Sequence, residues 1–166
     1  MALQLFKIET VEVASPAASV TFSSIPQGYT DLIVNMSPRT TSGNIYADVR
    51  IKFNGANTNF SARYIEGNGA TASSGSLARD FLGSAAGNGS TANTFSSTQI
   101  YIPNYTSANY KSFSIDSVQE NNATTAYAGL VTNLWSNTAA INEIVFYPQA
   151  TTYFMTNSTL TLYGVL

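Results

Sequence analysis

The sequence predicts an all-β fold: one antiparallel β-sandwich domain over residues 1–166, with a jelly-roll topology favoured. Three observations predict it. Apolar residues recur with period two along nearly the whole chain, turn-forming dipeptides interrupt them at short intervals, and no stretch carries a convincing helical stripe. At 166 residues the chain is long enough to enclose a real core in one domain. About a quarter of it is Ser or Thr, interleaved with ten Tyr and nine Phe, a mixture that suits pleated surfaces and tight turns.

The first two strands are expected at 3–8 and 10–14. Their apolar phase breaks between Leu3 and Leu5, then Phe6 and Ile8, then Val11 and Val13, as a bulge or a segment with apolar surface on both sides requires. Residues 1–14 are read as an N-terminal arm or edge strand that adds to the open sheet edge of a neighbour. Strands at 19–24 and 31–37 flank the turn Pro26-Gln27-Gly28.

Residues 45–53 alternate most cleanly. Ile45, Ala47, Val49, Ile51 and Phe53 share one face; Tyr46, Asp48, Arg50 and Lys52 share the other. Asn54-Gly55 follows, the pair that best tolerates the positive φ angles of a two-residue type I′ hairpin. Such a hairpin sets Phe53 against Ala56, Val49 against Phe60, Ala47 against Ala62 and Ile45 against Tyr64, so both apolar faces coincide. On the outside Tyr46 then opposes Arg63 as a cation–π pair. The charges Asp48, Arg50, Lys52 and Arg63 read as a solvated face whose salt bridges add under about 1 kcal/mol.

Residues 67–93 are Gly- and Ser-rich and read as one long loop. Leu77, Phe81 and Leu82 line at most a single helical turn within it. They are expected to dock over the edge of their own sandwich or to contact a neighbouring subunit. Further strands are expected at 98–102, 110–118, 125–134, 141–147 and 159–165, with a turn at Pro103-Asn104 and a hairpin loop at Glu120-Asn121-Asn122-Ala123. Trp135, at the end of one strand, is expected in the core or at its rim.

Composition excludes much chemistry. The chain has neither Cys nor His, which removes disulfides, thiolate nucleophiles and the commonest general base and metal ligand. Asp116 and Glu120 lie four apart, about 13 Å along a strand, too far for paired-carboxylate hydrolysis. No run resembles Asp-x-Asp-x-Asp-Gly, so neither a metal nor another cofactor is expected, and the chain is read as a non-enzyme. A net charge of −2 with seven Lys and Arg, nowhere clustered, argues against nucleic acid. The short apolar runs and the absence of a leader argue against a membrane or secretion, so folding in the cytoplasm is expected. Tyr101, Tyr105 and Tyr110 lie among Asn residues, a mixture that suits contact with glycans as well as a half-buried turn.

The phrases SSIPQGYTDLIV, VRIKFNG, IYIPNYTSANYKSFSIDSVQENNATTAY and LWSNTAAI carry a resemblance. From about Ser19 to the C-terminus the chain resembles small jelly-roll virion-associated proteins of tailed bacteriophages. The resemblance implies a capsid decoration (cement) protein that assembles in the bacterial cytoplasm and binds the phage major capsid protein on the head surface as a homotrimer. It brings no active-site motif. With this reading, Leu3, Leu5, Phe6, Ile8, Leu77, Phe81 and Leu82 are the expected protein contacts. The alternative is a receptor- or glycan-binding module of a phage tail fibre or tailspike, contacting sugar through Tyr101, Tyr105 and Tyr110.

Overall fold

The computed structural model describes residues 4–122, 125–149 and 151–166. These form strands and no helix: β1 (Leu5–Glu12), β2 (Val20–Phe22), β3 (Asp31–Ser37), β4 (Tyr46–Phe53), β5 (Phe60–Gly67), β6 (Ala72–Leu77), β7 (Ser84–Ala86), β8 (Ser97–Ile102), β9 (Lys111–Gln119), β10 (Tyr127–Trp135), β11 (Ile144–Pro148) and β12 (Thr159–Val165). An eight-stranded sheet runs β1-β12-β3-β8-β9-β10-β5-β6, and a four-stranded sheet runs β2-β11-β4-β7. Every ladder is antiparallel, and the two sheets pack as a β-sandwich. This division of strands does not by itself single out a jelly roll.

Alternation in each strand supplies the core. In β9 the burial pattern is strict, with Phe113 and Ile115 inside and Ser114 and Asp116 outside. The rings of Phe53 from the small sheet and of Phe60, Phe113 and Trp135 from the large one meet with centroids 5.2–6.5 Å apart. Trp135 is a core residue, as expected.

The Asn54-Gly55 turn forms, with φ of 51° and 77° and reciprocal backbone hydrogen bonds between Phe53 and Ala56 of 3.1 and 2.9 Å. The long hairpin does not. After that single rung β4 joins the small sheet beside β11, and β5 joins the large sheet beside β10. Asn59 takes a φ of 66° just before β5 begins. The physical reason is that alternation reports which face of a strand is buried, and both apolar faces bury equally well across the sandwich as beside each other. Phe53 and Phe60 accordingly meet across the core at 5.5 Å. The Tyr46–Arg63 pair is therefore replaced: Tyr46 faces Ala86 in its ladder and packs edge-on against Tyr127 at 5.1 Å.

The region 67–93 is also not one loop. β6 adds to the large sheet as its edge, β7 adds to the small one, and no helical turn forms around Phe81. Small residues have weak strand propensity, and pairing with β5 overrides it here. At the N-terminus β1 pairs with β12, with the register shifting between Lys7 and Glu9, so of the two readings of the phase break the bulge, at Ile8, is the one that forms. The arm is thus already an edge strand of its own sheet. β9 and β10 pair from Gln119 opposite Tyr127, so residues 120–126 connect them rather than the four expected, and Ala123 lies outside the described residues.

Candidate docking face

The outer surface of the large sheet is built from residues of the parity opposite to the core. One row of cross-strand neighbours passes through all eight strands. Its polar half is Thr10, Thr161, Asn35 and Gln99, and its other half is Asp116, Leu130, Ile65 and Ser74. Thr10 and Thr161 hydroxyls lie 3.1 Å apart, and Gln99 Nε2 donates to Asn35 Oδ1 at 3.1 Å. The adjacent row runs from Lys7 through Tyr163, Ile33, Tyr101, Ser114 and Thr132 to Arg63 and Ser76. At about 4.8 Å between strands and about 20 Å along them, the face covers roughly 700 Å². Three of the sixteen residues on these two rows are charged: Lys7, Asp116 and Arg63.

One end of the face is apolar. Ile65, Leu130 and Val118 are 60%, 54% and 39% exposed and, with Ala128, line an open depression of about 680 Å³ rimmed by Glu66 and Asp116. Exposed side chains of this size cluster where a surface meets a partner. These residues were not singled out by sequence reasoning, although a signal existed. Each is apolar on the wrong parity: Leu130 beside the inward Val131, Val118 out of phase with Phe113 and Ile115, and Ile65 out of phase with Phe60 and Ala62.

The residues expected to make contacts are dispersed. Leu3 lies outside the described residues. Leu5 and Phe6 are exposed on β1, with Phe6 stacked on Tyr29 at 5.8 Å, while Ile8 packs against the core. Leu77 is half-buried. Phe81 and Leu82 are buried in the chain's own core, with Phe81 against the Tyr64 ring at 5.8 Å, so they offer no surface to a neighbour. Tyr101 lies on the outer face and donates to Asp31 Oδ2 at 2.5 Å, a bond that raises its pKa. Tyr110 is well exposed, but Tyr105 is enclosed and donates to the Pro26 carbonyl, so the three tyrosines do not form one stacking platform.

Both salt bridges described lie along β4. Asp80, fully buried, accepts from Arg50 Nη2 at 2.7 Å, the Ile51 backbone N–H at 2.9 Å and the Tyr147 hydroxyl at 3.1 Å. Its carboxylate substitutes for a ladder partner where β7 ends and β4 continues. The weak solvated face expected at Arg50 is therefore corrected, because its partner is buried and in the core of the fold. Alongside, Arg79 donates to Asp48 Oδ2 at 3.3 Å. Burial raises the Asp48 pKa and outweighs the opposing pull of Arg79 and Arg50. Two depressions, of about 260 and 160 Å³, adjoin here and share Tyr46 and Asp48.

Asp116 and Glu120 do not come together as a catalytic pair: Asp116 sits between Gln99 and Leu130, and Glu120 accepts the Asn122 backbone N–H at 2.7 Å. Among the described residues no group of three or more Asp and Glu converges. No protein-family model matches the chain, and no curated protein or solved structure is significantly similar to it.

Proposed function

We propose that this protein is a structural virion component that docks on the outer surface of a bacteriophage head, against the major capsid protein, through the outer face of its eight-stranded sheet. The observation that carries the docking is the face itself. Its roughly 700 Å² approaches the ~800 Å² that one partner contributes to a standard interface. It is broad, uncharged from Thr10 to Gln99 along one row, and apolar at its other end, where exposed Ile65, Leu130 and Val118 offer a patch that a partner can desolvate. The head as destination is supported by the resemblance of the phrases between Ser23 and Ile141 to phage virion proteins.

The test is binding of the purified chain to heads stripped of it. Ile65→Glu with Leu130→Lys places opposite charges on exposed cross-strand neighbours, the lysine also beside Asp116, so the domain should unfold close to the wild-type temperature. Head binding should fall at least tenfold, about 1.4 kcal/mol. Unaltered binding by the folded variant would reject this face as the docking surface.

A second reading, a glycan-binding module of a tail fibre or tailspike, is favoured by one observation. Exposed Tyr46 stands between the two depressions with Asp48, Asn44 and Gln149 on one side and Glu66 and Arg79 on the other. An aromatic ring among planar polar groups suits a sugar. Loss of glycan-array binding in Tyr46→Ala, with head binding intact, would support that reading.

A further inference from the structure

The two sheets have four edges, and natural sheets protect theirs against unplanned pairing. Three are managed. β1 is bulged at Ile8 and carries Lys7, Glu9 and Glu12. β7 has three residues and is covered by the Arg39–Thr40 segment, Thr40 donating to the Ala86 carbonyl at 2.8 Å. β2 is only three residues long.

β6 differs on every count. It is six residues long, pairs in continuous register with β5, has no charge, bulge or proline, and is exposed from Ala72 to Ser74 and at Ser76. Gly75 is the cross-strand partner of Tyr64, whose ring occupies the space where a Cβ at Gly75 would stand, within 2.7–2.8 Å. The inner side of β6 is thereby closed, and its free edge faces outward.

We infer that β6 pairs antiparallel with β6 of a second copy of this chain about a twofold axis. An isologous contact sets each residue near its own copy, so any charge would meet a like charge. The run from Ala70 to Ala78 has none. Outward residues must oppose outward residues, which places the axis on a residue. Ser74, outward beside Ile65 and central to the exposed run, is that residue, with Ala72 opposite Ser76 of the other copy. A twofold axis normal to the sheet keeps both outer faces on one side. The two apolar ends, on β5 and β10 of each copy, then flank the junction. The product is a dimer with one continuous docking face, where the resemblance implies a threefold assembly.

The chain lacks Cys, so Ser74→Cys introduces a single thiol, and direct opposition holds the two Cα atoms about 5 Å apart, within disulfide reach. Mild oxidation of Ser74→Cys should give a covalent dimer, while the same change at exposed Ser112 should not. In sedimentation equilibrium, Ser74→Glu with Ser76→Glu should weaken self-association at least tenfold. Mixing that variant with Ser74→Lys, Ser76→Lys should restore it as a heterodimer. A wild-type chain that stays monomeric at the highest attainable concentration would overturn the inference. So would a dimer or trimer indifferent to these charges. Self-association is read without heads, so either outcome leaves the docking face to the head-binding assay of the Ile65 and Leu130 variant.

Discussion

Asp80→Ala is expected to destabilise the domain by about 3–5 kcal/mol, the cost typical of removing one member of a buried ion pair. Three donors converge on this carboxylate: Arg50 Nη2, the Ile51 N–H and the Tyr147 hydroxyl. Alanine leaves the Arg50 guanidinium without its counter-charge and the Ile51 N–H without an acceptor at the point where β7 no longer covers β4. Against a typical total of 5–15 kcal/mol, this is a large fraction of the stability of a small domain. The effect should also reach the docking face. Phe81, next in the chain, packs on Tyr64, and the Tyr64 ring lies under Gly75 of the β6 edge. Equilibrium urea unfolding measures the loss as a lower midpoint at constant m-value. Asp80→Asn should be intermediate, since its oxygen still accepts one bond while its amide brings two donors toward donors. A loss below about 1 kcal/mol for Asp80→Ala would place this pair among ordinary solvated salt bridges.

Lys111→Ala is the second large effect, expected at about 3 kcal/mol or more from the cavity and the orphaned carbonyls. Lys111 is 1% exposed, and among the described residues no carboxylate pairs with it. Its ammonium donates to the carbonyls of Ser107 at 2.7 Å, Ala139 at 2.6 Å and Asn137 at 3.4 Å, and lies 5.6 Å from the centroid of Trp135. One side chain therefore ties the turn between β8 and β9 to the connection between β10 and β11. Lys111→Met fills the space without donating and should recover part of the loss. The comparison has a pH signature. Burial lowers the Lys111 pKa below its ordinary 10.5. The stability linked to this shift is present above the unfolded value and lost as pH falls through the folded one. Wild type should gain on Lys111→Met as pH rises toward 10.5, in paired unfolding titrations; a difference flat up to that pH would contradict the burial of the charge.

How much of this was legible depended on the range of the interaction. The strands at 31–37 and 159–165 were readable to the residue, and those near 98–102 and 110–118 to within one, because alternation along five or more positions is a local record of one buried face. The broken phase over Leu3 to Val13 was readable, and a bulge was one of its two readings; pairing with β12 decides for the bulge and places it at Ile8. The Asn54-Gly55 turn was readable because its dihedral demand belongs to two residues. The length of the hairpin was not, since Phe53 and Phe60 are equally buried side by side or across the core. Asp80 lay inside the stretch read as one long loop, and its role exists only because β7 stops short of Ile51.

By itself, then, the sequence determined an all-β domain without Cys or His, the buried face of most strands, and the positions of the tight turns. Tertiary structure alone decided which strands pair and where the exposed apolar residues gather. Leu130 comes from β10, Ile65 from β5 and Val118 from β9, and they become one surface only when β9, β10 and β5 lie side by side in the large sheet. The physical reason is that period-two burial costs or gains free energy residue by residue, whereas pairing is a choice among neighbours distant in sequence that present the same backbone donors and acceptors.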